Sequence, residues 1–186
     1  MPVRPGLLGL GSNVGGTAAG GGGRRTHLQE AVDALDAAGV RVLASSSTYD
    51  TDPVGEVPDQ PSFLNACLLV RTVLEPLELL DLVKRLECEL GREPDAVRHG
   101  PRAIDIDILM LDDLHLRHER MTLPHEQLLT RRFVLIPALE LDFDMQICPQ
   151  PPGLGSMRLA DALAALAPDE GVRWAGPPLS LPGLVS

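Results

Sequence analysis

The stretch Arg98-His99-Gly100-Pro101-Arg102-Ala103-Ile104-Asp105-Ile106-Asp107-Ile108-Leu109-Met110-Leu111 holds the residue types in this chain best suited to phosphate chemistry. From Ile104 onward, apolar and acidic residues alternate. That is the period of a β-strand, with Ile104, Ile106 and Ile108 on one face and Asp105 and Asp107 on the other. The β-branched isoleucines favour the same assignment. Two carboxylates on one strand face, one residue apart, lie about 6–7 Å from each other at Cα. In a closed site they repel unless cations lie between them. Mg²⁺ is such a cation, and it takes carboxylate oxygens together with substrate phosphates. Arg98 and Arg102 add guanidinium groups, the bidentate partners of phosphate. Acid pair and arginines together read as a site for a metal-bound polyphosphate; the alternative is an amphipathic strand with a solvated acidic face. Strict alternation puts Arg102 on the isoleucine side. It serves the site only if Gly100-Pro101 holds it in the loop ahead of the strand.

The elements that must position these groups can be taken in chain order. Leu7-Leu8-Gly9-Leu10 reads as a buried first strand ended by the turn residues Gly11-Ser12-Asn13. Residues 15–23 are glycine-rich and read as a flexible insertion. They lack the Gly-x-Gly-x-x-Gly spacing of a phosphate cradle. Thr26-His27-Leu28-Gln29 has the form of a capping box, and Leu28, Ala31, Val32 and Leu35 follow at helical spacing up to Gly39. Val40–Tyr49 predicts a second strand, residues 50–61 a proline-rich loop, and Ser62–Thr72 a third strand with Asn65 inside it. Pro76 opens a helix with the stripe Leu79, Val83, Leu86 and Leu90, stopped by Gly91. Glu87 lies beside that stripe, as a solvated flank residue or as an acid at the rim of a cleft. Residues 92–101 are polar and join this helix to the Asp-x-Asp strand. After it, Leu114–Leu116 predicts a short returning strand and Glu126–Leu139 a helix. From Asp144 onward only Arg158–Leu166 has a helical pattern, and a loose tail is expected from about residue 168. The order strand, helix, strand, strand, helix, strand predicts an α+β fold: a ferredoxin-like βαββαβ core with a C-terminal helical and irregular extension, one catalytic domain over residues 1–186.

Composition narrows the chemistry. The chain has 186 residues and a net charge of −10, which argues against nucleic acid as a partner. Lys84 is the only lysine, so no Walker A loop exists here. Three cysteines, Cys67, Cys88 and Cys148, are far apart and show neither a disulfide framework nor a zinc pattern. No signal peptide and no bilayer-spanning apolar run is present, so the expectation is a cytoplasmic monomer away from membranes.

With these motifs in view, the chain resembles the 6-hydroxymethyl-7,8-dihydropterin pyrophosphokinases of folate biosynthesis. The resemblance rests on Arg98 to Leu109, Gly11-Ser12-Asn13, Thr51-Asp52-Pro53-Val54-Gly55, and Asp59-Gln60-Pro61-Ser62-Phe63-Leu64-Asn65-Ala66. Glu87 with Gly91-Arg92, and Leu123-Pro124-His125 followed by Arg131 and Phe133, complete it. These motifs run in order over most of Leu7–Leu141. The resemblance implies transfer of a pyrophosphoryl group from the co-substrate ATP to the pterin hydroxymethyl oxygen, with AMP leaving. It implies Asp105 and Asp107 as ligands of two Mg²⁺ ions, and Arg92, Arg102, Asp105 and Asp107 as the catalytic group. It further implies a pterin site of Thr51, Val54, Gly55, Phe63, Asn65 and Phe133, the two phenylalanines sandwiching the ring. The ATP site would be Glu87, Arg92, Arg98, Arg102, Ile108, Thr122, His125 and Arg131, with residues 92–101 acting as a lid. The chain differs from the family where His99 and Glu126 replace aromatics and where Lys84 replaces glutamine. Two other readings of the residues stay open: a different Mg²⁺-dependent phosphate enzyme such as a nucleotide hydrolase, and a non-catalytic ferredoxin-like ligand-binding module.

Overall fold

The computed structural model describes residues 2–15, 23–52, 61–92, 101–142, 145–147, 156–167 and 171–183. The readings made at Val54, Gly55, Arg98, His99 and Cys148, and most of those on the glycine-rich insertion and the 92–101 lid, lie outside these residues. In chain order the elements are β1 (Arg4–Ser12), α1 (Arg24–Ala37), β2 (Arg41–Ser45), β3 (Thr48–Thr51), β4 (Phe63–Thr72), α2 (Pro76–Glu89) and β5 (Asp105–Leu111). They continue with β6 (Leu116–His118), β7 (Met121–Leu123), α3 (Arg132–Leu141), β8 (Gln146–Ile147), β9 (Met157–Arg158), α4 (Leu159–Ala165) and β10 (Val172–Gly176).

β1 lies at the centre of an antiparallel sheet, with β4 on one side and β5 on the other. The far side of β4 pairs first with β2 and then with β3, and β10 closes the sheet outside β3. With α1 and α2 crossing on one face, this is the ferredoxin-like arrangement. The sheet's alternation decides what each face does. Leu8 and Leu10 of β1, Leu64, Ala66, Leu68 and Val70 of β4, and Ile106 and Ile108 of β5 meet Leu28, Val32, Leu35, Leu79, Val83 and Leu86 of the helices in the main core. Each fully buried leucine there contributes roughly 1.5–3 kcal/mol of transfer free energy. The opposite face carries a second cluster of Leu7, Cys67 and Leu109 against Leu128, Val134 and Leu135, with Leu159 of α4. It covers only part of that face. The rest belongs to the acidic and polar residues described below.

Several sequence patterns resolve differently in three dimensions. The predicted strand over Val40–Tyr49 is two strands, because Ser46 and Ser47 leave the ladder while Ser46 remains tied to β4. There Ser46 N–H donates to the Cys67 carbonyl and Ser46 Oγ accepts from Cys67 N–H. Thr26 is not the cap of α1: the helix begins two residues earlier behind Gly23, and Gln29 reaches Ser180 instead. The capping box that does form is Glu75 with Glu78 at the start of α2. The returning strand falls at Leu116–His118, and Met121–Leu123 pairs with it as β7. The last long helix starts at Arg132, not Glu126. The loose tail from about residue 168 is corrected most strongly. Val172–Gly176 is a sheet strand, and Leu179 beyond it is buried in the main core. Among the described residues no helix is long and apolar enough to cross a membrane, and Cys67 and Cys88 are free.

Candidate active site

The register of three strands assembles the site. Asn65 of β4, Gly11 of β1 and Asp105 of β5 are direct cross-strand neighbours, so they form one row on the sheet face away from α1 and α2. Cys67, Gly9 and Asp107 form the next row. A Cβ at Gly11 would stand 3.1 Å from Asn65 Oδ1, 3.8 Å from Phe63 and 3.9 Å from the Asp105 Cβ. Glycine therefore leaves the floor between amide, ring and carboxylate open. Gly9 plays a different part, because the Leu109 side chain folds over it. Leu109 faces that way by the alternation that already aims Asp105 and Asp107, and at this point the β1–β5 ladder slips: Leu8 pairs with Ile108 but Leu7 with Met110. The extra residue in β5 is a β-bulge that reverses the alternation beyond it, placing Met110 against the second cluster and Leu111 in the main core, while Leu109 keeps the face of Asp105 and Asp107. Its carbonyl accepts the backbone N–H of His125, 2.9 Å away, which ties the Leu123-Pro124-His125 motif to the site.

Arg102 lies ahead of β5, as its use at the site requires. Asn13 holds it there in both directions. Asn13 Oδ1 accepts from Arg102 N–H at 2.7 Å, and Asn13 N–H donates to the Arg102 carbonyl at 3.2 Å. From that position Arg102 Nη1 donates to Asp105 Oδ2 at 2.5 Å, and Arg92 Nη1 donates to Asp105 Oδ1 at 2.6 Å. Arg92 is itself set by Glu87 Oε2, 2.7 Å away. Glu87 is 1 % exposed. Its other oxygen accepts the Ile106 N–H at 2.7 Å, on the outer edge of β5, and Lys84 Nζ lies 3.0 Å from both oxygens. Burial pushes the Glu87 carboxyl upward, while Lys84 and the Ile106 N–H pull it back. Glu87 is thus a latch between α2 and β5 that aims Arg92, with its oxygens engaged by the protein.

Burial also pushes the Asp107 carboxyl above the usual carboxylate range, and the neighbouring Asp105 adds to the shift; His125, Lys84 and Arg102 offset part of it. The two carboxylates are therefore unlike. Asp105 is charge-paired to arginines, whereas Asp107 stands beside Leu109 in a drier setting. Their oxygens fit a hard divalent cation that completes its shell with water and phosphate. Among the described residues, no three His, Cys, Asp or Glu groups converge as an all-protein metal cage.

On the other side of Gly11, Asn65 is oriented by Thr51. The Asn65 Nδ2 donates to Thr51 Oγ1 at 2.6 Å, which turns Oδ1 toward the glycine floor. Thr51 also pairs with Phe63 across β3–β4, so hydroxyl, amide and ring form one unit. Phe133 is half-buried near the start of α3 and packs against the second cluster. Its neighbour Val134 accepts a contact from Cys67 Sγ at 3.6 Å, which brings this end of α3 over β4. The far end of α3 is docked by Glu140, which accepts from Ser47 N–H, Ser47 Oγ and Tyr49 Oη.

The remaining assigned residues are placed less centrally. The Ile108 side chain is in the main core. Only its backbone, on the same outer edge as the Ile106 N–H, is available to a ligand. Thr122 lies in β7 with its Oγ1 3.5 Å from Glu126, and Arg131 precedes α3, half-exposed. The sequence offered no role for Glu140, for the clamp made by Asn13, or for the Leu109 bulge. The Gly11-Ser12-Asn13 motif pointed to the second of these only as a turn.

A family profile described as 7,8-dihydro-6-hydroxymethylpterin-pyrophosphokinase (HPPK) matches residues 7–143. The chain belongs to this family. Among HPPK relatives, a 2-amino-4-hydroxy-6-hydroxymethyldihydropteridine pyrophosphokinase of Methylorubrum extorquens is 40% identical over 87% of this chain and 92% of its own. One from Bacillus subtilis is 42% identical over 72% of this chain and 75% of its own. The chain spans only 26% of a related folate synthesis bifunctional protein of Arabidopsis thaliana, which is 39% identical over 73% of this chain. The HPPK-DHPS structure of Plasmodium falciparum in its wild-type form with pteroate superposes with a TM-score of 0.63 at 12% identity, over 88% of this chain and 44% of that one. At that identity the likeness speaks for the fold alone. β10 lies beyond the residues that the HPPK profile matches.

Proposed function

We propose that this HPPK-family protein transfers a pyrophosphoryl group from ATP to the hydroxymethyl oxygen of 6-hydroxymethyl-7,8-dihydropterin. The hydroxymethyl oxygen bonds to the β-phosphorus, the α–β bridge breaks, and AMP leaves. The observation that carries this reading is the row Asn65–Gly11–Asp105, with Asp107 in the next row, which sets an amide reader and an acid pair on one sheet face with only a glycine between the amide and the first acid. Asn65 Oδ1 accepts from the amino edge of the pterin next to Thr51, and Val54 and Gly55 belong to the same pterin-binding group. Phe63 and Phe133 stack on its faces. Asp105 and Asp107 would hold two Mg²⁺ ions, which would supply charge neutralisation to the triphosphate. Arg92 and Arg102, now on Asp105, are within reach of phosphate oxygens and neutralise charge as the bridge breaks. Arg98, Thr122, His125, Arg131 and the Ile108 backbone complete the nucleotide site, and residues 92–101 close over it.

The deciding experiment is identification of the nucleotide product with ATP, Mg²⁺ and hydroxymethyl-dihydropterin. AMP formed in step with pterin consumption is expected; stoichiometric ADP without AMP would refute the assignment. The ring stack has its own check. Phe63→Ala and Phe133→Ala are expected to weaken pterin binding by about 1–3 kcal/mol and ATP binding far less, in line with ring stacking on an aromatic side chain. Equal losses for both ligands, with a lowered Tm, would show that these rings only pack.

A further inference from the structure

The strand β3 carries Thr51 at its last residue, and Thr51 orients Asn65. β3 has only four residues and is cut off from β2 at Ser46-Ser47. Left as the outer strand, so short a segment frays readily. It is not outermost, because β10 pairs along its whole length: Val172 with Thr51, Arg173 with Asp50, Trp174 with Tyr49, Gly176 with Thr48. Both ends of this added strand are tied down. At the near end Arg173 grips Asp52 through both terminal guanidinium nitrogens, at 2.6 and 3.3 Å. Gly171 there has φ +58°, and a Cβ on it would stand 2.1 Å from Asp52 Oδ2, so the approach is open to glycine alone. At the far end Leu179 is 3% exposed, in the main core. Arg25 donates to the carbonyls of Pro177 and Pro178, and the Gln29 amide exchanges two hydrogen bonds with the Ser180 backbone. An exposed ion pair contributes little by itself, so the ladder is the brace and the pair sets its register.

We propose that β10 is a positioning element of the pterin site: by closing the edge of β3 it fixes Thr51, and through Thr51 the amide of Asn65, on the ring-binding face. The proposal rests on the functional reading above. It places no residue of β10 in contact with substrate. The effect must therefore appear in pterin affinity rather than in nucleotide affinity or turnover.

The test uses the parity of an edge strand. Successive backbone N–H groups point alternately to the neighbouring strand and to solvent. Proline removes the N–H, so it breaks the ladder at one parity and is tolerated at the other. Cys67 N–H and C=O face the β2 and β3 side of β4. By register, Tyr49 and Thr51 then face β4, while Asp50 faces β10 and Arg173. In the full chain Arg173→Pro therefore breaks the ladder and Trp174→Pro is its control. The ladder-breaking variant is expected to raise KM for the pterin about tenfold, with KM for ATP and kcat within about twofold, and the control to match the wild type. In a Thr51→Val background the same proline should add nothing further, because the effect passes through that hydroxyl. Equal behaviour of the two prolines, an equal rise in KM for ATP, or full additivity with Thr51→Val would overturn the proposal. Should the ladder-breaking variant fail to fold, Gly171→Ala carries the same test, with a rise in pterin KM expected and an unchanged value overturning the brace. A wild type that forms no AMP refutes the functional reading alone. The brace is then read from amide exchange of β3 and Phe63, which must quicken only in the ladder-breaking variant.

Discussion

Asp107→Asn is expected to lower turnover on the order of a thousandfold or more, the scale seen when charge stabilisation of a transition state is removed, while making the ligand-free protein more stable at neutral pH. The two effects have one origin. Asp107 is held in a dry position next to a second carboxylate, and its pKa is raised above that of the unfolded chain. A raised carboxyl contributes stability while it is protonated, at low pH. That contribution is lost as pH climbs from the ordinary carboxylate range through the folded value. Asparagine removes the titration, so its advantage over the wild type should be largest near neutrality and shrink on acidification. Asp105→Asn should lose activity similarly but gain no stability, because its carboxylate is paired with Arg92 and Arg102. Product assays and thermal melts at several pH values check both. Near-normal turnover in either variant would contradict a metal-holding acid pair.

Glu87→Ala is expected to cost about 2–3 kcal/mol of stability, near the lower end for breaking a buried charge pair because Lys84 and Arg92 can partly rehydrate. It also orphans the Ile106 N–H, on the strand that carries both aspartates. Arg92 then loses its aim, and kcat should fall about a hundredfold with the ATP dissociation constant changed less than tenfold. Glu87→Gln separates the two roles. The amide oxygen can still accept from Ile106, so most stability should return, but not the charge that fixes Arg92. Urea unfolding and steady-state kinetics on the pair decide this. Equal kinetics in both variants would show that Arg92 needs no such support.

How much of this was legible depends on how local each cause is. The isoleucine and aspartate faces of β5, the helix stripes around Leu28 and Leu79, and the ferredoxin-like order all follow from periodicity, a property of neighbours in sequence. Arg102 was legible as a condition: the residue must precede the strand, and Asn13 from the far end of β1 enforces it. The Leu109 bulge was not legible. The run Ile108-Leu109-Met110-Leu111 is apolar throughout, so a phase slip leaves no mark on it. Nor did the break at Ser46-Ser47 show, since serine is tolerated in strands and the break is set by Cys67 and Glu140 from elsewhere. Gln29 matched a capping box and proved to hold Ser180, a partner more than 150 positions away. β10 was hidden for the same reason: between glycine and proline its five residues carry a weak pattern, and only the open edge of β3 makes them a strand.

The row Asn65–Gly11–Asp105 also acts as a ruler. Its three residues sit on adjacent strands, so two inter-strand steps of about 4.8 Å separate the backbones of Asn65 and Asp105, roughly 10 Å in all. Backbone hydrogen bonds set that spacing, and Thr51 sets how far the Asn65 amide leans inward across it. A fused bicyclic ring anchored by its amino edge reaches across Gly11 with its substituent delivered at the acid end. A monocyclic pyrimidine bearing the same edge satisfies Asn65 but carries its substituent one ring width short of where the bicycle delivers it. Such a fragment should occupy the site as a competitive ligand and never become a substrate, however reactive the hydroxymethyl group it carries.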